Sequence, residues 1–331
     1  MKVLVTGANG FLGHWLVKSL ANEGLDVDAL VRPNSDVSEL SGIKCRHVFG
    51  DVTDLESLKK AFIDVDSVFH LAGVIAYKPS DRPLMEKVNV QGTAHVIEAI
   101  KAKKVRKLVH LSSVVAVGAG FSKDEILTES SPFNVNHLKL GYFDTKYAAE
   151  KLVQEAYRRN EIDPVILNPS TIYGAGDAKK GSRSTQVKVA RGEFKFYTSG
   201  GVNVCPIEDV VRGILSGWRK GRSGERYILA GENITIKKLF ELISASAGVE
   251  APQTQIPNWA LHLLGHVGDF SQLVGLKSKF SSENAWTTTL FHWFDSSKAR
   301  AELDFTFQPA QFAINNSVQW MKDNGYLNKS L

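Results

Sequence analysis

The stretch KVLVTGANGFLG, residues 2–13, decides the fold. A short apolar run leads into Gly7, Gly10 and Gly13, and a helical pattern follows from about Phe11. Gly7 lets the chain turn sharply off a first strand, and Gly10 lets backbone amides approach a pyrophosphate at a helix start. Gly13 lets that helix pack closely on the sheet. The first gap is one residue wider than the common dinucleotide fingerprint, yet a strand before and a helix after are the context a dinucleotide site requires.

Working outward, apolar runs alternate with helical patterns: KVLVT, VDALV, CRHVFG, SVFHLAG and KLVHLSS, with helices from about Phe11, Asp54 and Glu86. This alternation predicts an α/β fold, a doubly wound parallel Rossmann sheet covered on both faces. A loop over residues 119–136 precedes a helix carrying Tyr142 and Lys146, and the buried strand PVILNPS follows. Ligands of such folds sit at the carboxyl ends of the strands, where Gly7, Ala72, Gly73, Ser113 and Ser170 fall. Beyond Tyr173 a Gly- and Lys-rich loop, short strands and further helices predict a smaller irregular α/β lobe. The expected division is residues 1–173 as dinucleotide-binding domain, with part of 202–232 packing back onto it, and 174–331 as substrate lobe. The tail reads as ordered, with an amphipathic final helix through Trp320.

The 331 residues are 43% hydrophobic and 23% charged, ordinary for a globular protein with a sizeable core. The first strand begins at about residue 2, leaving no room for a targeting peptide, and a cytoplasmic location is expected. Cys45 and Cys205 are isolated and read as packing residues of a reducing compartment. Residues 256–276 are apolar but broken by Asp269 and two histidines, so no membrane span is expected. A net charge of +5 suggests nucleic acid, but the lysines of 101–107 suit the dipole at a helix end, and no nucleic-acid partner is expected.

Tyr142 and Lys146, four residues apart, put a phenol and an ammonium on one helix face. A phenol titrates near pH 10, so acid–base work near neutrality needs a positive charge beside the phenolate, which Lys146 can supply. Ser113, at the end of KLVHLSS, can hydrogen-bond a substrate carbonyl. Roughly 20 residues past the glycine motif an acid would hold the ribose hydroxyl of NAD and an arginine would accommodate a 2'-phosphate. Arg32 stands there while Asp28 lies inside the strand, so NADP(H) is preferred, with NAD(H) left open. Asp51 and Val52 would flank the adenine. His262 and His266 have metal-like spacing but no acid between them and no third ligand, so they read as helix-face residues and no metal is expected. Trp259, Trp286, Phe291, Trp293 and Phe294 form an aromatic-rich carboxyl lobe that reads as core, part of it lining a greasy pocket.

At these residues the chain resembles the extended short-chain dehydrogenase/reductase family, which contains dihydroflavonol reductases, 3-beta-hydroxysteroid dehydrogenases and nucleotide-sugar epimerases. The likeness runs nearly end to end. TGANGFLG looks like the cofactor motif and implies that Thr6, Asn9, Phe11 and Leu12 join the three glycines in binding. GDVTD is similar to the adenine-side turn, HLAG to the phosphate-side strand end with Leu71, Ala72 and Gly73, and VNVQGT to the opening of the dimer-face helix. YFDTKYAAEK resembles the active-site helix, with Thr145 where serine is commoner. NPSTIYGAGD resembles the segment that packs on nicotinamide through Pro169 and Ser170, with Asn168 where many members have arginine. The resemblance implies Tyr142 as proton donor or acceptor, Lys146 lowering its pKa and holding the nicotinamide ribose, and Ser113 polarising the substrate oxygen. Asn89 could support the relay or only the helix start, and the helix start is the expectation. A homodimer through the helices beginning near Asn89 and Tyr142 is suggested, with a monomer left open.

Departures from the family narrow the reaction. Dehydratases place an Asp-Glu pair after the Ser/Thr, where this chain has Val114 and Val115. Sugar-nucleotide epimerases put arginines on the diphosphate in stretches resembling GGVNVCPIED and TTTLFHWFD, which here hold none. An unpaired diphosphate would bind badly in an apolar lobe. The reading is an NADP(H)-dependent oxidoreductase interconverting ketone and secondary alcohol on an apolar small molecule. The alternatives are an NAD-dependent sugar or nucleotide-sugar epimerase and a non-catalytic dinucleotide sensor.

Overall fold

The computed structural model describes residues 1–179, 183–273, 276, 278 and 281–328. Residues 180–182 of the Gly- and Lys-rich loop, and 274 and 275 of the apolar stretch, lie outside the described residues. The strands are β1 (Lys2–Thr6), β2 (Asp26–Val31), β3 (Arg46–Phe49), β4 (Ser67–His70), β5 (Lys107–Leu111), β6 (Pro164–Pro169), β7 (Thr171–Tyr173), β8 (Phe196–Tyr197), β9 (Gly201–Pro206), β10 (Arg226–Leu229), β11 (Glu232–Thr235) and β12 (Thr254–Gln255). The helices are α1 (Phe11–Asn22), α2 (Leu55–Ala61), α3 (Arg82–Met85), α4 (Gly92–Lys103), α5 (Gly141–Arg158), α6 (Ser184–Ala190), α7 (Ile207–Lys220), α8 (Ile236–Ala247), α9 (Asn258–Leu273), α10 (Ser282–Thr289), α11 (Ser297–Leu303) and α12 (Ala310–Asp323).

Seven strands form one parallel sheet in the order β10-β6-β5-β4-β1-β2-β3. Alternate residues of each strand face opposite sides, so both faces must be covered. Val3, Val5, Val27 and Ala29 pack against α1, α7 and α11, while Leu4, Leu30 and Val68 pack against α2, α4 and α5. β10 comes from the second half of the chain and pairs with β6, so the sheet closes only after the chain has left it and returned. Two small sheets, β11-β9-β7 and β12-β8, stand beside it, and α6, α8 and α12 bury a separate apolar cluster against β9.

Three expectations are corrected. The helix read from about Glu86 is preceded by α3 and runs through a π-helical turn, Glu86–Gln91, before α4. That wider turn brings Asn89 inward, where its side chain accepts from Val74 N at 2.8 Å and donates to Val74 O at 3.0 Å. Trp259 is not core but 71% exposed, because α9 turns Leu261, Gly265 and Gly268 inward and leaves Trp259, Leu263, Val267 and Phe270 on its outer stripe. Of the lysines grouped at a helix end, Lys101 and Lys103 close α4, but Lys107 opens β5. Among the described residues no helix is long and apolar enough to cross a membrane.

One buried ion pair ties the returning strand to the helix of Tyr142. Glu150 of α5 accepts from Arg226 of β10 at 2.9 Å, Ser112 at 2.5 Å, Asn168 at 2.7 Å and Gln154 at 3.2 Å. Removing one member of a buried pair leaves the other uncompensated, so Glu150→Ala is expected to cost about 3 kcal/mol, read by urea unfolding. Glu150→Gln, which keeps an acceptor oxygen, should cost clearly less.

Candidate functional site

The glycine turn is shaped by close contact. Gly7 adopts φ +68°, and a Cβ there would come within 2.9 Å of Ala72 N. A Cβ on Gly13 would stand 2.0 Å from Gly7 O, so α1 packs against its own turn. A Cβ on Gly10 would meet only Gly7 O, at 3.1 Å, leaving that side open. Gly10 caps α1 without a side-chain bond, and no acid occupies the first turn, so the positive end of the helix dipole carries no opposing side chain there.

The other residues expected to bind cofactor surround this turn. Thr6 Oγ1 accepts from Leu71 N and Ala72 N, each at 3.1 Å, and so donates to His70 Nδ1 at 2.8 Å. His70 is therefore the Nε2–H tautomer and donates to Thr93 at 3.0 Å. Burial first, then Lys146, pushes its pKa down to about 3, which keeps it neutral. Thr6 thus uses its hydroxyl to tie β1 to the end of β4. Asn9 donates to Asp36 O at 2.8 Å and braces the loop after β2. Phe11 is half-buried, whereas Leu12 is buried in the core, leaving its backbone to reach a ligand. Arg32 is exposed just beyond β2. Asp28 is fully buried and paired with Arg46 at 2.6 Å, hence unavailable to a ribose. Asp51 accepts from Thr53 N at 2.8 Å, and Val52 is buried beside Gly92. Leu71, Ala72 and Gly73 follow β4, with Gly73 facing Asn89. Pro169 ends β6, and Ser170 Oγ beside it, like Asn168 Oδ1, is buried without a hydrogen-bond partner. An open helix start and unsatisfied polar atoms at the strand ends suit a dinucleotide lying across them.

Ser113, Tyr142 and Lys146 meet where β5 gives way to its loop. The Ser113 hydroxyl accepts from Val115 N at 3.4 Å and lies close enough to the Tyr142 phenol to lower its pKa. Burial pushes the Tyr142 phenol well above its ordinary value, the nearby Tyr77 adds to the rise, and the Ser113 hydroxyl opposes it. The lowering expected from Lys146 is not among these influences: its ammonium donates to Leu111 O at 2.9 Å. Burial pushes Lys146 down to about 8, with Glu150 opposing. Asn168 donates to Ser113 O at 3.0 Å as well as to Glu150, which holds the serine's backbone.

Sequence reading missed three groups here. Glu150 stands one helical turn beyond Lys146, a spacing present in KYAAE. Tyr77 lies in the segment between β4 and α3, its ring edge-on to that of Tyr142 with centroids 6.3 Å apart. His110 is buried 5.5 Å from His70 with neither ring nitrogen bonded; burial, Lys146 and His70 push its pKa well below the ordinary value, and no motif announces it. Asn89, expected at a helix start, donates from its amide to Thr145 at 3.2 Å and joins α5 to the π-helical turn. His262 packs against Trp286, with ring centroids 4.3 Å apart, and no cluster among the described residues could hold a metal.

Residues 3–230 match the model of the NAD dependent epimerase/dehydratase family. The chain belongs to that family, whose members bind nicotinamide dinucleotide, and it is an NAD(P)-dependent oxidoreductase acting on CH–OH or ketone groups. It is 29% identical to a putative dihydroflavonol 4-reductase of Synechocystis, covering 98% of this chain and 95% of that protein. It is 30% identical to sterol demethylase protein B of Methylococcus capsulatus, over 99% of this chain and all of that one. The crystal structure of gox2253 superposes with a TM-score of 0.88 at 30% identity, over 98% of this chain and 99% of the other.

The buried lysine predicts a pH signature. Its folded pKa lies below the unfolded value of 10.5, so between about pH 8 and 10.5 the unfolded chain holds the extra proton and Lys146 costs less stability as pH rises. Lys146→Met is therefore expected to be more stable than the parent at pH 7, with the difference shrinking across that window in paired urea titrations.

Proposed function

We propose that this protein is an NADP(H)-dependent reductase or dehydrogenase that interconverts a ketone and a secondary alcohol on an uncharged, hydrophobic small molecule. The observation that carries the reading is the Ser113 hydroxyl beside a half-buried Tyr142 phenol held protonated, with Lys146 one helical turn along α5. The Ser113 hydroxyl donates to the substrate carbonyl, and the Tyr142 phenol delivers its proton to the oxygen as negative charge gathers there. A raised phenol pKa keeps the tyrosine in the form that reduction consumes. Lys146 then stabilises the phenolate and holds the nicotinamide ribose. NADPH supplies the hydride when bound.

Under this reading Thr6, Gly7, Asn9, Gly10, Phe11, Leu12 and Gly13 would hold the cofactor, Arg32 would accommodate its 2'-phosphate, and Asp51 and Val52 would flank its adenine. Leu71, Ala72, Gly73, Pro169 and Ser170 would meet its nicotinamide end. An apolar substrate is supported by the half-buried Val115, Phe133 and Trp286, which pack with Tyr142 against one buried apolar cluster. It is supported also by β9, fully buried in GGVNVCPIED, where Asn203 spends its side chain on Gly231 and Asn233. Two relatives whose names carry a dihydroflavonol and a sterol point the same way. Residues 174–331, apart from the segment returning to the sheet, would form the substrate lobe of a cytoplasmic enzyme that dimerises through the helices near Asn89 and Tyr142.

With NADPH and a panel of flavonoid, steroid and aryl ketones, Tyr142→Phe is expected to lower kcat by about 1000-fold while NADPH still binds. Turnover retained in that variant would sink the mechanism. Arg32→Asp should weaken NADPH far more than NADH in a fluorescence titration, and equal losses would remove the assignment of the 2'-phosphate. Tightly bound NAD copurifying with a protein that reduces no ketone would favour the epimerase.

A further inference from the structure

The start of the helix that bears Tyr142 is held from elsewhere in the chain. α5 opens at Gly141, and its N-cap residue Leu140 offers no side-chain bond. The Gly141 amide instead donates to Glu283 Oε2 at 3.0 Å. Glu283 belongs to the first turn of α10 and is 4% exposed. Its other oxygen accepts from Arg82 Nη2 at 3.1 Å and Nε at 3.2 Å. One residue before α10, Ser281 donates to Tyr77 O at 2.9 Å. The head of α10 thus grips the helix of Tyr142 and both ends of the 77–82 segment. Gly141 makes room for this contact, since a Cβ there would lie 2.9 Å from Met85 Cε and 3.0 Å from Arg82 Cγ. Asp144 faces the same cluster: burial raises its carboxyl pKa, Arg82 opposes the rise and Glu283 adds to it.

A carboxylate this buried is costly unless its oxygens are bonded, and here they bind one helix amide and one guanidinium. We propose that Glu283 is a positioning residue: by capping α5 at Gly141 and holding Arg82, it sets where the Tyr142 phenol stands relative to Ser113 and to the Tyr77 wall. A phenol displaced by a fraction of an ångström misses the oxygen it must protonate, and a 1 Å misplacement costs about 100-fold in rate. The kinetic readout rests on the reductase reading above; the structural readout does not.

The test compares Glu283→Ala, Glu283→Gln and Arg82→Ala in the full chain, with NADPH and a ketone reduced by the parent. Glu283→Ala is expected to lower kcat about 100-fold with the NADPH Kd essentially unchanged. Glu283→Gln keeps an oxygen for Gly141 but loses the ion pair that holds the 77–82 segment beside Tyr142, so kcat should largely recover while KM rises, as in Arg82→Ala. A merely structural contact would lower melting temperature, NADPH affinity and kcat together, without rescue by glutamine. That pattern, or an unchanged kcat in Glu283→Ala, overturns the proposal. Hydrogen exchange over residues 140–146 supplies the arm independent of turnover. Faster exchange there in Glu283→Ala, with β1 and α1 unchanged, is expected, and unchanged exchange overturns the proposal. A parent that reduces no ketone defeats the reductase reading, while exchange still decides the role of Glu283. Should Glu283→Ala not fold, Glu283→Gln decides: raised KM with kcat kept supports the proposal, and kcat falling in step with cofactor affinity overturns it.

Discussion

A buried ammonium cannot remain charged without partners, and Lys146 is only 7% exposed. Its proton is kept by the Leu111 carbonyl at the end of β5 and by the field of Glu150 one turn along α5. Glu150 needs its own donors, and it draws them from Ser112 after β5, Asn168 of β6 and Arg226 of β10. Three strands and one helix are therefore joined through the charge that a phenolate at Tyr142 would require. The returning strand β10 is part of this support, which explains how residues far outside the glycine-motif half bear on the site.

A second, uncharged network runs beside it. Thr6, His70, Thr93 and the backbone of Asn89 form a chain of hydrogen bonds in which each donor direction follows from the one before. Asn89 then reaches Thr145, whose hydroxyl donates to Gly141 O at 2.9 Å. The glycine turn and the helix of Tyr142 are thereby tied through side chains that carry no charge. His70, held neutral by burial, serves as a rigid link.

Much of the architecture was readable from local pattern. The β1 run, the spacing of Gly7, Gly10 and Gly13, and the helix after them are short-range features, and the structure adds the contacts that make Gly7 and Gly13 necessary. The Tyr142-to-Lys146 spacing was likewise legible, as was Asp28 lying inside its strand. Trp259 was misread because an aromatic residue in an apolar helix looks like core until the packing partner of that helix is known. The helix around Asn89 was misjudged because a π-helical turn leaves no mark in hydrophobic periodicity.

By itself the sequence determined the doubly wound class, the glycine turn off the first strand and the spacing that puts Tyr142 and Lys146 on one helix face, because these depend on periodicity and spacing along a few residues. Only the tertiary structure decided that Glu150 answers to Arg226, that Glu283 caps Gly141, and that burial rather than Lys146 dominates the phenol of Tyr142. Those facts depend on desolvation and on contacts spanning 76 and 142 residues of chain, which no local pattern encodes.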